Sequence, residues 1–190
     1  VTNPLDLMTY HALKTLGFKP NRVFGMGPTL DGSRFANLIS EELKIPPGEV
    51  DAMVIGSHGE GMMPLPNFTT IKGLPLEQFM DEKRIAETVD RTIGRGQEIV
   101  SLLGSGSAFF APSAAVAELV RAILKDQKRT LAVSAYIDGQ YKLSDVCIGA
   151  PCRIGSSGIE QVIELSLDDT QSQVLLKSAA RLKELALKYL

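Results

Sequence analysis

An α+β fold, with long helices packed on a twisted, mainly antiparallel sheet, is the class that the sequence predicts. Three observations carry it. Apolar residues recur at helical spacing in the first half of the chain and again between residues 76 and 125. From Thr130 onward the pattern changes to short strand-like runs whose connections are too short for a parallel crossover. The 190 residues contain no internal repeat and no low-complexity linker, so residues 1–190 are expected to bury one core as a single domain.

Asn3-Pro4 is a turn signal directly before Leu5, Leu7, Met8, Tyr10, Ala12, Leu13 and Leu16, and this apolar set stops at Gly17. A helix is therefore expected from Leu5 to Leu16. Residues 23–29 are apolar and glycine-rich, a place where a strand could break, and a second helix is expected over 30–43, ahead of Pro46-Pro47. Residues 50–55 read as one buried strand leading into Gly56-Ser57-His58-Gly59-Glu60-Gly61. Residues 64–75 are polar and proline-marked. A long helical pattern covers 76–103, with a break near Asp81 and weak helix formers at Gly94 and Gly96. The next helix, 111–125, is nearly all small and apolar before Glu118 and Arg121, which predicts packing on several sides. Strands are expected at 131–137, 145–149, 152–154 and 160–165, separated by Asp138-Gly139-Gln140 and Gly155-Ser156-Ser157-Gly158. Ser166 is a candidate cap for a last helix lined by Val174, Leu175, Leu182, Leu185 and Ala186.

Hydrophobic residues at 44% and charged residues at 22% are ordinary for a globular chain. A net charge of −2 without a basic cluster argues against nucleic acid and anionic membrane surfaces as partners. No apolar run approaches the roughly 18 to 20 residues of a membrane span. Cys147 and Cys152 lack the companion ligands of a zinc site and read as reduced core thiols, which points to a cytoplasmic setting. Val1-Thr2-Asn3-Pro4 has no initiator methionine and reads as the end of a buried strand entering a turn, so the chain is expected to be the remainder of a longer one.

Three polar clusters invite a chemical reading: Asn3 before Pro4, Asp31 with Arg34, and His58 among glycines. Histidine titrates near neutrality and can take and give a proton, while glycines beside it allow close approach of a ligand. The alternative is a surface or turn histidine whose glycines serve only the turn. Asp31 and Arg34, three apart at a predicted helix start, share one face. They could equally be a capping aspartate and a surface ion pair. His58 and Glu60 do not suggest a metal hydrolase, because no second histidine stands at useful spacing and His11 falls on a packed helix.

Taken in order, Asn3-Pro4, Asp31 with Arg34, and His58 resemble the catalytic half of the lactate and malate dehydrogenase family. The resemblance continues through Met62-Met63-Pro64-Leu65, Lys72-Gly73-Leu74-Pro75-Leu76, Gly106-Ser107-Ala108-Phe109-Phe110-Ala111-Pro112 and Gly149-Ala150-Pro151, and so covers essentially the whole chain. The opening Val-Thr-Asn-Pro-Leu-Asp and the His-Gly followed by Met-Met-Pro-Leu are similar to the lactate-dehydrogenase-like group of malate dehydrogenases. The resemblance implies that His58 is the general acid/base for a 2-hydroxy acid and that Asp31 holds its other ring nitrogen. Arg34 would grip the substrate carboxylate in bidentate fashion, and Asn3, held by a cis peptide into Pro4, would bond the substrate oxygen. Asn3 and His58 would also border the cofactor, NAD or NADP. Ala108 would line the pocket opposite His58, where a small side chain leaves room for a second carboxylate and favours malate; a small residue needed for helix packing is the alternative. The chain departs from the family pattern at Ser57, Glu60, Gly32-Ser33 and Gly27-Pro28-Thr29.

The family places a dinucleotide-binding Rossmann domain ahead of this segment, and no Gly-x-Gly-x-x-Gly followed by an acidic residue occurs here. Acid-base and carboxylate-binding groups without a hydride carrier imply a fragment that is inactive alone. Two further readings stand beside malate dehydrogenase. One is a dehydrogenase of lactate or another 2-hydroxy acid. The other is a non-catalytic assembly fragment, since helices such as Leu5–Leu16 form subunit contacts in the family, which implies a homodimer or homotetramer. Tyr10, Phe35 and Phe109 are candidates for contact or core.

Overall fold

The computed structural model describes residues 3–59 and 61–189, so the strand end expected at Val1-Thr2 and the departure at Glu60 lie outside the described residues. The architecture is α+β. Helix α1 (Leu5–Leu16) ends where Gly17 turns left-handed, as its apolar spacing predicts. Helix α2 spans Gly27–Leu43, three residues longer at its start than the apolar pattern indicates, because Pro28 in the first turn presets the backbone for a helix.

The predicted strand over 50–55 is two strands. β1 (Val50–Asp51) pairs with β4 (Thr70–Ile71), which pairs with β5 (Leu74–Pro75) in a small three-stranded sheet. β2 (Val54–Gly56) leaves that sheet and enters a five-stranded antiparallel one, between β3 (Met62–Pro64) and β7 (Val146–Gly155). β7 pairs along its length with β6 (Arg129–Ile137), while β2 meets its other edge at Gly149 and β8 (Gly158–Val162) meets that edge from Cys152 onward. The two strands expected at 145–149 and 152–154 are thus one. Pro151 does not break it, because its carbonyl accepts from the Ile163 N–H on the β8 side. Its ring nitrogen faces that same edge, in the step between β2 and β8, so no ladder donor is lost.

Helix α3 (Glu82–Leu103) begins at the predicted break, where the Asp81 carboxylate accepts from the Arg84 N–H at 2.9 Å. Helix α4 (Phe110–Leu124) buries Pro112, Ala115, Leu119 and Ala122, but Val116, Val120 and Leu124 are exposed, so it packs on one side rather than several. Helix α5 (Asp169–Tyr189) is capped by Asp168 instead of Ser166: Asp168 Oδ1 accepts from the Gln171 N–H at 2.8 Å, and Gln171 Oε1 accepts from the Asp168 N–H at 3.2 Å. This reciprocal pair has the spacing of a capping box. Its buried stripe runs through Leu175 and Ala179, and Val174 faces outward.

Helix α2 is shared by two cores. Its Leu30 packs with Leu5, Ile55, Leu119, Val133 and Leu175, joining four helices to the five-stranded sheet. One to two turns later, Phe35 and Ile39 pack with Val50, Ile71, Leu76 and Ile85, joining α2 to the small sheet and α3. Phe35 is therefore core, whereas Phe109 is exposed and Tyr10 half-buried. No helix among the described residues is long and apolar enough to cross a membrane.

The cap assignment separates two substitutions. Asp168→Ala should lower stability in a urea titration by about 1 kcal/mol, while Ser166→Ala should change it by less than ~0.5 kcal/mol; the reverse ranking would return the cap to Ser166.

Candidate active site

Because α2 starts at Gly27, Asp31 lies within the helix and is no cap; the N-cap position is Met26, which makes no side-chain bond. One turn on, Arg34 projects beside it, and Arg34 Nη1 stands 3.5 Å from Asp31 Oδ1, at the limit of a hydrogen bond. The loop between β2 and β3 is pinned by the Ser57 N–H donating to Gly61 O and the Met62 N–H donating to Gly59 O, both at 3.1 Å. Gly56 and Gly59 have φ of 88° and 107°, so the turn itself requires both glycines. This loop delivers His58 onto α2, where Nδ1 lies 2.7 Å from Asp31 Oδ2.

Burial settles what kind of group this is. The Asp31 side chain is 1% exposed, Arg34 10% and His58 14%, so neither a surface ion pair nor a surface histidine describes them. A carboxylate only accepts, so Nδ1 carries the proton toward Asp31 and Nε2 is the basic atom of the neutral ring. Burial disfavours the imidazolium, but the Asp31 hydrogen bond, the Asp31 charge and the Asp6 charge together outweigh burial and Arg34 and raise the His58 pKa. Burial pulls the Arg34 pKa downward against the opposing pull of Asp31. Arg34 Nε is buried without a partner among the described residues, so the guanidinium has donors that the protein does not fully use.

Two glycines make room for these groups. A Cβ on Gly27 would come within 2.7 Å of His58 Cγ and of Leu5 Cδ2, so the unusual Gly27-Pro28-Thr29 lets the head of α2 meet the imidazole. Gly96, a weak point in the predicted helix, faces Arg34: a Cβ there would lie 3.3 Å from Nη1. Asp6 was not singled out from the sequence, yet it is buried and accepts from the His58 backbone N–H at 2.7 Å and from Ser134 Oγ at 2.5 Å. The only local signal for it is an acid in the first turn of a helix, between two buried leucines.

The structure brings Asp31, Arg34 and His58 together. Asn3 is exposed at the head of α1, one turn before Asp6, and its peptide to Pro4 is cis as expected. Ala108 is half-buried in the non-helical linker between α3 and α4. Cys147 and Cys152 are free and buried, with thiols that burial pushes up to about 12.

Residues 28–188 match the family described as lactate/malate dehydrogenase, alpha/beta C-terminal domain. The chain is 49% identical to the malate dehydrogenase of Methanosarcina mazei over 184 residues, which covers 97% of this chain and 60% of that protein. The structure of the malate dehydrogenase from Salinibacter ruber superposes with a TM-score of 0.94 at 48% identity, covering 99% of this chain and 61% of the other. The lactate dehydrogenase from Eimeria maxima, solved with NADH and oxamate, gives 0.95 at 36% identity, covering 98% and 58%. The chain thus spans about 60% of the length of these relatives.

The Asp31–His58 pair has a pH signature. With its folded pKa raised, the imidazolium stabilises the fold below the ordinary histidine value, and this contribution is lost as pH rises through the raised value. Asp31→Asn should lower the His58 midpoint read by NMR, flatten this dependence and cost about 1 to 3 kcal/mol at mildly acidic pH. An unchanged midpoint would show that Asp31 does not govern the ring.

Proposed function

The chain belongs to the lactate/malate dehydrogenase family, and from that premise we propose that residues 1–190 are the C-terminal substrate-binding and catalytic domain of an NAD(P)-dependent malate dehydrogenase. The observation that carries this reading is the 2.7 Å contact of Asp31 with His58 Nδ1 next to a buried arginine with unused donors. Malate is preferred to lactate because the malate dehydrogenases of Methanosarcina mazei and Salinibacter ruber are 49% and 48% identical to the chain, against 36% for the Eimeria maxima lactate dehydrogenase. Lactate or another 2-hydroxy acid is the alternative substrate.

In this reading His58 Nε2 takes the proton of the C2 hydroxyl of malate, and Asp31 stabilises the imidazolium that forms. In the direction of oxaloacetate reduction the same nitrogen returns the proton to the C2 oxygen. The Arg34 fork receives the C1 carboxylate, so that C2 is held at the imidazole; the planar pair of donors orients it as a lysine ammonium cannot. Asn3 hydrogen bonds to the C2 oxygen, and Ala108 leaves space for the second carboxylate. The nicotinamide cofactor supplies the hydride acceptor when bound. Asn3, exposed at the head of α1, and the His58 ring fit one side of it. The sequence has no glycine-rich dinucleotide cradle, so we assign the remaining contacts to a preceding Rossmann domain. The chain alone is accordingly inactive.

A chimera that places the preceding part of the Salinibacter ruber malate dehydrogenase before Val1 tests the acid-base assignment. Oxaloacetate-dependent NADH oxidation should be present in the chimera and absent from the chain alone. His58→Gln should lower kcat by about 10² to 10⁴, and Arg34→Lys should act mainly by raising KM. A His58→Gln chimera with full kcat would end this reading.

A second reading, of another class, is favoured by Phe109, Phe110, Leu102 and Leu124, which stand exposed at 59%, 81%, 80% and 80%. Here the chain is an assembly module that forms a homodimer or homotetramer through α3 and α4. Sedimentation at micromolar concentration should then show a dimer or larger species; monomer alone would overturn it.

A further inference from the structure

Asp6 makes no hydrogen bond to Asp31 or Arg34 among the described residues, yet its two oxygens join three segments that carry the site. Oδ2 accepts from the backbone N–H of His58, and Oδ1 accepts from the hydroxyl of Ser134 in β6. Ser134 also exchanges both backbone hydrogen bonds with Gly25, each at 2.9 Å, two residues before α2 begins. Asp6 itself lies in the first turn of α1, directly after Asn3-Pro4. One carboxylate and one serine therefore tie the Asn3 arm, the lead into Asp31 and the His58 loop to a fully buried position of the central sheet.

We infer that Asp6 is a positioning residue for His58, fixing the height of the histidine over α2 through its backbone and adding a second negative charge behind the imidazolium. The importance of this role for catalysis rests on the dehydrogenase reading; the role itself does not. A loop histidine has no ladder of its own to hold it, and the bond from its N–H to Asp6 is as short as the bond from its ring to Asp31, 2.7 Å in each case. His58 is held at its ring by Asp31 from α2 and at its backbone N–H by Asp6 from α1. The charged groups facing it are Asp31 and Arg34 from α2 and Asp6 from α1. Around Asp6 stand Ser134, His58, Asp31 and the Cys147 thiol, which burial keeps protonated with a pKa of about 12. Burial raises the Asp6 pKa, and the bonds from Ser134 and His58 oppose that rise in part.

Two substitutions separate charge from tether. Asp6→Asn can still accept from the His58 N–H while its amide donates to Ser134 Oγ, so it removes the charge and keeps both bonds. Ser134→Ala keeps the charge and releases one anchor of the carboxylate. NMR of the chain, with His11→Gln to leave a single imidazole, reads the His58 midpoint and the exchange rate of its amide proton. Asp6→Asn should shift the midpoint downward with amide protection retained, and Ser134→Ala should speed amide exchange severalfold with the midpoint less affected. An unchanged midpoint in Asp6→Asn, or unchanged exchange in Ser134→Ala, overturns the assignment. Thermal unfolding identifies a variant that simply fails to fold, and Asp6→Glu then serves as the charge-retaining control, expected to keep the wild-type midpoint. In the chimera, Asp6→Asn should lower kcat about tenfold while leaving KM within twofold. A chimera without activity would end the dehydrogenase reading while leaving the NMR result to judge Asp6.

Discussion

A carboxylate that is 1% exposed on helix α2 sets the terms for the surrounding structure. Removing Asp31 from water costs several kcal/mol unless its oxygens are given partners. One oxygen faces an imidazole and the other a guanidinium, and neither group is local in the sense of a helix cap. The arginine comes from the next turn of α2, but the histidine must be carried in by another element. This is why the apolar run over 50–56 divides: β1 closes the small sheet, and β2 crosses to the large one so that its following loop ends on α2. Gly27 then leaves room for the ring, since a Cβ there would stand 2.7 Å from His58 Cγ. Core and site are one problem here, since Leu30 and Phe35, on either side of the Asp31–Arg34 turn, anchor the helix in two separate apolar clusters.

The same dependence explains why the site is built at the meeting of α1, α2 and β2 rather than on any single element. Its polar bonds span long stretches of chain: 27 residues from Asp31 to His58, 52 from Asp6 to His58, and 128 from Asp6 to Ser134. Each closes a loop whose entropy is recovered by the packing of whole elements instead of by the bond itself. Long-range bonds between rigid elements hold a geometry better than contacts within a flexible loop, and an acid-base group needs that constancy to keep one nitrogen presented to a substrate. The deep site follows from the fold's long sequence separations.

How much of this could be read from the sequence divides along the same line. Helical spacing located α1 and α3, and the Asp81 break and Gly17 stop were visible because caps and left-handed turns are local chemistry. Asp31, Arg34 and His58 were found through their order along the chain, and the fold brings them together. Asp6 was not found, because a first-turn acid is common on helices and its decisive partner is 128 residues away. The split of β1 from β2 was hidden because Val50, Val54 and Ile55 are buried in either arrangement, so the apolar pattern is the same. The strand-like pattern stops on either side of Ala150-Pro151, yet β7 runs through, because the step between β2 and β8 gives the missing Pro151 donor a place. Between Ser166 and Asp168 the residue types are both good caps, and Gln171, three residues after Asp168, decided the matter.

Helix α4 shows a different limit. Its composition correctly registered a strong demand for burial, and the inference that it packs on several sides treated that demand as one met within the chain. Only the face of Ala115, Leu119 and Ala122 meets the sheet; Val116, Val120 and Leu124 turn outward, and Phe109 and Phe110 stack tilted on each other at its head, 4.4 Å apart and largely exposed. Hydrophobic composition reports how much apolar surface a segment carries, and periodicity reports which way that surface points, but neither reports what lies opposite. In α1 the apolar stripe is narrow, and burying one face through Leu5, Leu7 and Leu13 accounts for most of it. In α4 the apolar residues encircle the helix, so a single buried face leaves a second behind. The sequence of such a helix carries more burial than these 190 residues provide, and its pattern describes the surface around it as much as the core beneath it.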